Sequence, residues 1–131
     1  MPRYRASSSL PALDTFMSDY RAATVQNPLV DRQRAWIVDD AYVVTDVKLW
    51  QGMAVLSSIF SDRRGRGAAS KVLRELVTLA DRHGVIMFLS PKAFGMREGG
   101  LSSKQLRDWY GRHGFKRSRE YPRDMVRKPS E

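Results

Sequence analysis

The chain has no cysteine, which excludes a disulfide scaffold, a thiol nucleophile and a cysteine-ligated zinc together. Histidine is scarce as well: His83 and His113 are too few for an imidazole cage, so no metal is expected. No apolar run approaches the roughly 20 residues a bilayer span requires, and the opening MPRYRASSSLPALD lacks the apolar core of a secretory signal. The expectation is a soluble, cytoplasmic protein with no membrane partner. Acidic residues are also in deficit. Asp and Glu number 14 against 23 Lys and Arg, a net charge of +9, which favours an anionic ligand or partner: a nucleotide, a phosphate, a nucleic acid or an acidic protein face.

What is present fits one domain spanning 1–131, because 131 residues with 42% apolar content suffice for one modest core. There is no internal repeat, and nothing is low in complexity beyond Ser7, Ser8 and Ser9. Many positive charges sit in two places. One is Arg63, Arg64 and Arg66; the other runs from Arg112 to Lys128, where seven bases meet only Glu120 and Asp124. The second run suits either a face that tracks nucleic-acid phosphates or an ordinary solvated surface.

The three serines can cap a helix with Pro11 in its first turn and Leu10, Leu13, Phe16, Met17 and Tyr20 on one face, ending near Gln26. From Arg34 to Phe60 the pattern changes to three strands with turns at Asp39-Asp40 and Gln51-Gly52, an antiparallel meander. In its middle strand Val43, Val47 and Leu49 alternate with Tyr42, Asp46 and Lys48, which sets a core face against a more polar one. A helix follows Gly67, with Ala69, Val72, Leu73, Leu76, Val77 and Ala80 at helical spacing and Gly84 as its stop. Val85 to Leu89 is an unbroken apolar strand for the centre of the sheet. After a long loop from Ser90 to Gly100, Ser102 and Gln105 form a capping box, with Leu101 and Leu106 spaced as a staple. Leu106, Trp109, Tyr110 and His113 share that helix's face, Gly114 ends it, and the last strand or two fall between Phe115 and Lys128. The class is therefore α/β in the α+β sense, a mixed, mostly antiparallel sheet flanked by helices.

The strand-to-helix turn SDRRGRGAAS, from Ser61 to Ser70, is suited to phosphate. Gly65 and Gly67 allow close backbone approach, the helix start offers unpaired NH groups, and the arginines add charge. It is neither a Walker loop, lacking Lys and Ser or Thr after the glycines, nor a dinucleotide fingerprint. A glycine turn without a ligand is the alternative.

Two segments resemble the GNAT family of N-acetyltransferases. R-G-R-G-A-A, Arg64 to Ala69, is similar to the family's acetyl-CoA motif, written Q or R, x, x, G, x, G or A, with Arg64, Gly67 and Ala69 at the defined positions. About forty residues on, WYGRHGF, Trp109 to Phe115, resembles the helix-ending F-Y-x-x-x-G-F signature, with Trp in place of the first Phe. The order of elements from Arg34 to Lys128 follows the family too, about three quarters of the chain.

The resemblance implies a GNAT fold whose sheet splays at the cofactor-binding strand, with acetyl-CoA as acyl donor. Ser57, Ser58 and Ile59 then match the strand that pairs with the pantetheine arm, where a bulge or splay is expected. Arg64, Gly65, Arg66, Gly67, Ala68, Ala69 and Ser70 match the pyrophosphate turn, and Tyr110 matches the general acid near the thioester sulfur. Without its flanking motif, Tyr110 reads as a core aromatic beside Leu106. Three departures stand out. Ser103 replaces an Asn that many members carry, and either bonds the cofactor or starts the helix. The strand from Met53 to Phe60 has no carboxylate, so Asp46 on the neighbouring strand is the substitute base, or an exposed strand carboxylate. The loop from Ser90 to Gly100 is longer than the family's usual link. The expected function is acetyl transfer to a primary amine, first a protein lysine or N-terminus, with aminoacyl-tRNA or a small amine as variants. The competing class is a noncatalytic module that grips nucleic acid or an acidic protein through Arg112 to Lys128. Monomer and homodimer are both compatible.

Overall fold

The computed structural model of the protein describes residues 8–27, 33–62, 67–91 and 102–130. Helix α1, Leu10–Ala23, begins where Ser9 accepts the Ala12 amide at 3.2 Å and Pro11 supplies a first-turn residue with no amide to satisfy. It buries Leu13, Phe16 and Tyr20, but Leu10 points to solvent. The helix stops short of the expected Gln26. Thr24 turns extended, its hydroxyl donating to the Tyr20 carbonyl at 2.7 Å, and Val25–Gln26 becomes a short strand, β1. Pairing with a neighbouring strand outcompetes one more helical turn at this point, a tertiary effect that local spacing does not encode.

The meander forms as expected, from β2 (Gln33–Val38), β3 (Ala41–Trp50) and β4 (Met53–Ser61). Its turns use left-handed residues at Asp39 and at the Gln51-Gly52 pair, the geometry that matches strand twist. Helix α2 (Ala68–His83) leads to β5 (Met87–Leu89), then α3 (Ser103–Gly111), β6 (Lys116–Arg117) and β7 (Met125–Arg127). The capping box of α3 is present, with Gln105 accepting the Ser102 amide at 2.8 Å and Ser102 accepting that of Gln105 at 3.1 Å. The staple residue Leu101 lies outside the described residues. This helix closes at Gly111 rather than Gly114, which instead takes a left-handed conformation in the turn beyond.

The seven strands of the described residues make one sheet in the order β1-β2-β3-β4-β5-β7-β6, antiparallel at every joint except β4 with β5. The class is thus α+β, a mostly antiparallel sheet with helices, and all five residues Val85 to Leu89 are buried in its middle. No described helix is long and apolar enough to cross a membrane.

One core cluster lies on one face, where Trp36, Val43, Val47, Leu56, Met87, Leu89 and Met125 meet Phe16 of α1, Leu73 and Leu76 of α2 and Tyr110 of α3. Phe16 is fully buried, a contribution of about 1.5–3 kcal/mol. Thr45 organises the polar centre of this core, bonding the Tyr20 hydroxyl at 2.8 Å and accepting from the Trp36 indole at 3.0 Å. The opposite face carries exposed Ile37, Tyr42, Trp50 and Phe60. Two expectations for β3 need correction. Leu49, assigned to the core face, is exposed beside the Gln51-Gly52 turn at the sheet's rim. Asp46, expected on the polar face as the substitute base or else an exposed strand carboxylate, is only 7% exposed, because alternation fixes its side of the sheet and not what covers that side.

Candidate functional site

β4 and β5 run parallel for three pairs only: Ala54 with Met87, Val55 with Phe88, and Leu56 with Leu89. β4 then continues to Ser61 against β3 alone. β5 ends at once, because the Ser90 hydroxyl turns away to donate to Asp124 at 2.6 Å and Pro91 has no amide for a ladder. Among the described residues, Ser57 to Phe60 therefore have no ladder partner on the β5 side, and the two strands part. The parting coincides with a bulge. Asp46 pairs with Ser58 and Val47 with Leu56, so Ser57 is the extra residue and the backbone of β4 is re-aimed there. Ser57, Ser58 and Ile59 are all half-buried.

The chain returns at Gly67, which caps α2 in a left-handed conformation with φ of 77°. Gly67 has no side chain to occupy the helix start, so the amides of Ala68, Ala69 and Ser70 are not used within α2, whose first internal bond is Lys71 to the Gly67 carbonyl at 3.0 Å. Among the described residues, a Cβ built on Gly67 would meet nothing within 4 Å. Arg64, Gly65 and Arg66 lie outside the described residues, as does most of the loop from Ser90 to Gly100. Ala68 is buried beneath the turn, while Ala69 and Ser70 are half-buried at its rim.

Helix α3 is tied to this turn. The Trp109 indole donates to the Ser70 hydroxyl at 2.8 Å, a link between the two motif segments that spacing along the chain did not reveal. The signal was there in part, since Trp109 shares a helix face with Leu106 and Tyr110. Tyr110 packs against Trp109 and Phe115, with ring centroids 4.9 and 5.7 Å away, and is 7% exposed. Burial pushes its phenol up to about 12. Such a tyrosine is protonated throughout the physiological range, the state a proton donor needs. His113, one turn on, is held below its ordinary range by burial and by Arg74, Arg112 and Arg127.

The displaced phenol predicts an alkaline instability. Tyr110 keeps its proton to about 12 in the fold but to about 10 unfolded, a difference of roughly 2–3 kcal/mol at 1.36 kcal/mol per pH unit. That contribution is complete below pH 10 and is lost as pH rises through about 12. Tyr20, raised by burial, acts in the same direction. Urea midpoints measured from pH 9 to 12 should fall steeply in the parent and less steeply in Tyr110→Phe; parallel curves would show that the phenol is not buried as described.

Ser103 stands apart from Tyr110. It is exposed at the start of α3, where it lines an open groove of about 770 Å³ with Ser90, Arg107, Tyr121, Arg123 and Asp124. Arg107 donates to the Arg123 carbonyl at 3.1 Å and braces the β6–β7 connection across the groove. Asp46 sits in the ladder directly opposite Ser58, next to the bulge.

The basic run from Arg112 to Lys128 does not form one patch. Arg127 is 8% exposed and is consumed by Asp81, in a bidentate pair at 2.7 and 2.9 Å, and by the His113 carbonyl at 2.8 Å. Lys116, Arg117, Arg119, Arg123 and Lys128 remain exposed. Among the described residues no group of His, Asp and Glu is arranged to hold a metal ion.

No family model matches the chain, and no curated protein matches it. Among solved structures, that of the anti-CRISPR protein AcrVA5 is similar, with a TM-score of 0.54 and 12% identity, over 72% of this chain and 96% of that one. The likeness is one of fold.

Proposed function

We propose that the protein is an acetyl-CoA-dependent N-acetyltransferase of the GNAT type, acting on a primary amine carried by a macromolecule. The observation that supports this most is the parting of β4 from β5 at a bulge, with the left-handed Gly67 turn following β4 and the Tyr110 helix bonded to that turn. Bound acetyl-CoA would supply the acyl group as a thioester, whose carbonyl carbon an amine attacks, so that the C–N bond forms and the C–S bond breaks with the CoA thiolate as leaving group.

The residues divide that work by their chemistry. The unpaired edge of Ser57, Ser58 and Ile59 offers amides and carbonyls to an extended amide-bearing arm, and an amide beside the bulge can donate to a developing oxyanion. Gly67, Ala68, Ala69 and Ser70, with Arg64, Gly65 and Arg66 before them, offer helix-start amides and charge to a pyrophosphate. Small side chains at 67 to 70 keep that approach open. Tyr110 delivers a proton to the departing sulfur. Asp46 is the carboxylate beside the bulge and takes the role of base toward an ammonium whose ordinary value is about 10.4 for a lysine. The groove beside Ser103 and Arg107 is wide and open, a shape that suits an amine presented by a large molecule such as a protein lysine or N-terminus.

Titration calorimetry with acetyl-CoA and CoA tests the donor site. Saturable binding is expected, and Gly67→Glu should abolish it while the protein still folds, since a Cβ there meets none of the described residues and the left-handed strain is on the order of 1 kcal/mol. Equal binding by parent and Gly67→Glu would remove the turn from the donor site, and no binding by the parent would refute the reading.

A further inference from the structure

The sheet face opposite the helices carries a row of side chains that the acyl-transfer reading does not use. Register places Lys48 of β3, Val55 of β4, Phe88 of β5, Val126 of β7 and Lys116 of β6 in one line across five strands. Four interstrand steps of about 4.8 Å separate the two lysines by roughly 19 Å. Both lysines are exposed. Between them Phe88 is the floor of an aromatic cluster, with the Trp50 ring 5.5 Å and the Tyr121 ring 5.9 Å from its own, and 6.2 Å from each other. Phe88 is buried, whereas Trp50 and Tyr121 are 37% and 39% exposed. None of the three belongs to the main core. The connection that carries Tyr121 adds exposed Arg119 and Arg123 against Glu120, and exposed Lys128 directly follows β7. Of the other carboxylates nearby, Asp124 is engaged by Ser90 and Asp46 is buried.

From this arrangement we infer that the face binds single-stranded nucleic acid, its bases stacking on Trp50 and Tyr121 and its phosphates held by Lys48, Lys116 and the flanking arginines. Charge selects the class of ligand. A chain of net charge +9, with a lysine at each end of the row, repels a second copy of itself and attracts a polyanion. The rings select within that class, since bases offer flat faces only when unpaired, while an acidic peptide has no flat face to match two exposed aromatics. The span between the lysines accommodates a few nucleotides, in keeping with the short sites of strand-binding modules. This binding does not depend on the proposed donor site, because the cluster and the Gly67 turn share no residue; Tyr121 and Arg123 also line the groove beside Ser103.

Fluorescence anisotropy of labelled oligothymidine and oligouridine of about twelve nucleotides, against a duplex of equal length, tests it. The single strands should bind, and the duplex more weakly. Trp50→Ala should weaken binding about tenfold or more with an unchanged salt slope, and Trp50→Phe should restore most of it. The double variant Lys48→Glu with Lys116→Glu should lower the slope of log K against log salt by about 1.4, near 0.7 per phosphate contact. Arg74→Gln on α2 should bind like the parent. The inference is overturned by absence of binding at about 50 mM salt, by duplex binding as tight as single strand, by polyglutamate competing equally well, or by full binding in Trp50→Ala. If Trp50→Ala does not fold, the lysine variant decides. Acetyl-CoA titration of the same variants should match the parent, which keeps this outcome separate from that of the donor site.

Discussion

Replacing Asp81 by alanine is expected to destabilise the protein by about 3 kcal/mol, the largest loss we anticipate from one surface-accessible side chain. The carboxylate holds Arg127 by two bonds of 2.7 and 2.9 Å and also accepts the Ser130 amide at 2.7 Å. Arg127 is nearly buried, and the third of its bonds ties it to the end of α3 through the His113 carbonyl. Gly114 passes close over it, for a Cβ there would come within 3.0 Å of the Arg127 Nε. Without Asp81 the largely buried guanidinium keeps its bond to the His113 carbonyl but loses its anionic partner. Breaking such a pair typically costs 3–5 kcal/mol, and the partial exposure of Asp81 places this one at the low end.

Equilibrium urea denaturation checks the value, and a loss below about 1 kcal/mol would mean that the pair behaves as a solvated surface bridge. Adding Arg127→Met should recover much of the loss, because the buried charge is then gone. The same pair gives an acid limb. Its bonds from Arg127, opposed by burial, hold the Asp81 carboxyl below the usual 3.8, so the stability it provides is complete above that value and is lost as pH falls through the lowered one.

Tyr110→Phe is expected to lower kcat for acetyl transfer by about 10²- to 10⁴-fold while leaving acetyl-CoA affinity near that of the parent, the signature of a lost general acid. The ring itself is conserved in this variant, so packing against Trp109 and Phe115 survives. Because burial holds the phenol at about 12, the parent's rate should show no limb from this group below about pH 11. An unchanged kcat would reduce Tyr110 to a core aromatic, and the parting strands would then need another proton donor. Trp109→Phe, which removes the indole bond to Ser70, should affect acetyl-CoA affinity more than kcat if that bond serves mainly to shape the turn.

Periodicity and punctuation made most of the fold legible. The alternation along Ala41–Trp50, the three-and-four spacing along Ala68–His83 and the Ser102 capping box are local signals that produced their elements, while of the apolar run Val85–Leu89 only Met87–Leu89 forms a strand. Glycine placement marked the Gly67 and Gly84 boundaries because φ near +70° is strained for other residues. The excess of Lys and Arg over Asp and Glu likewise pointed to an anionic ligand.

Tertiary structure decided what depends on residues far apart. Thr24 ended α1 early because β2 offered Val25 and Gln26 a ladder. Asp46 proved buried, and Arg127 left the basic run for Asp81, since partners 46 residues apart leave no local trace. The break between β4 and β5 required Pro91 at one strand's end and a bulge at Ser57 on the other, two features that acquire meaning only when the strands lie side by side. The row that puts Phe88 between Lys48 and Lys116 is likewise a product of register. Sequence determined which elements form, because helix and strand periods are written into neighbouring residues; only the folded sheet decided which side chains face one another, because register and crossover connect residues that the chain keeps apart.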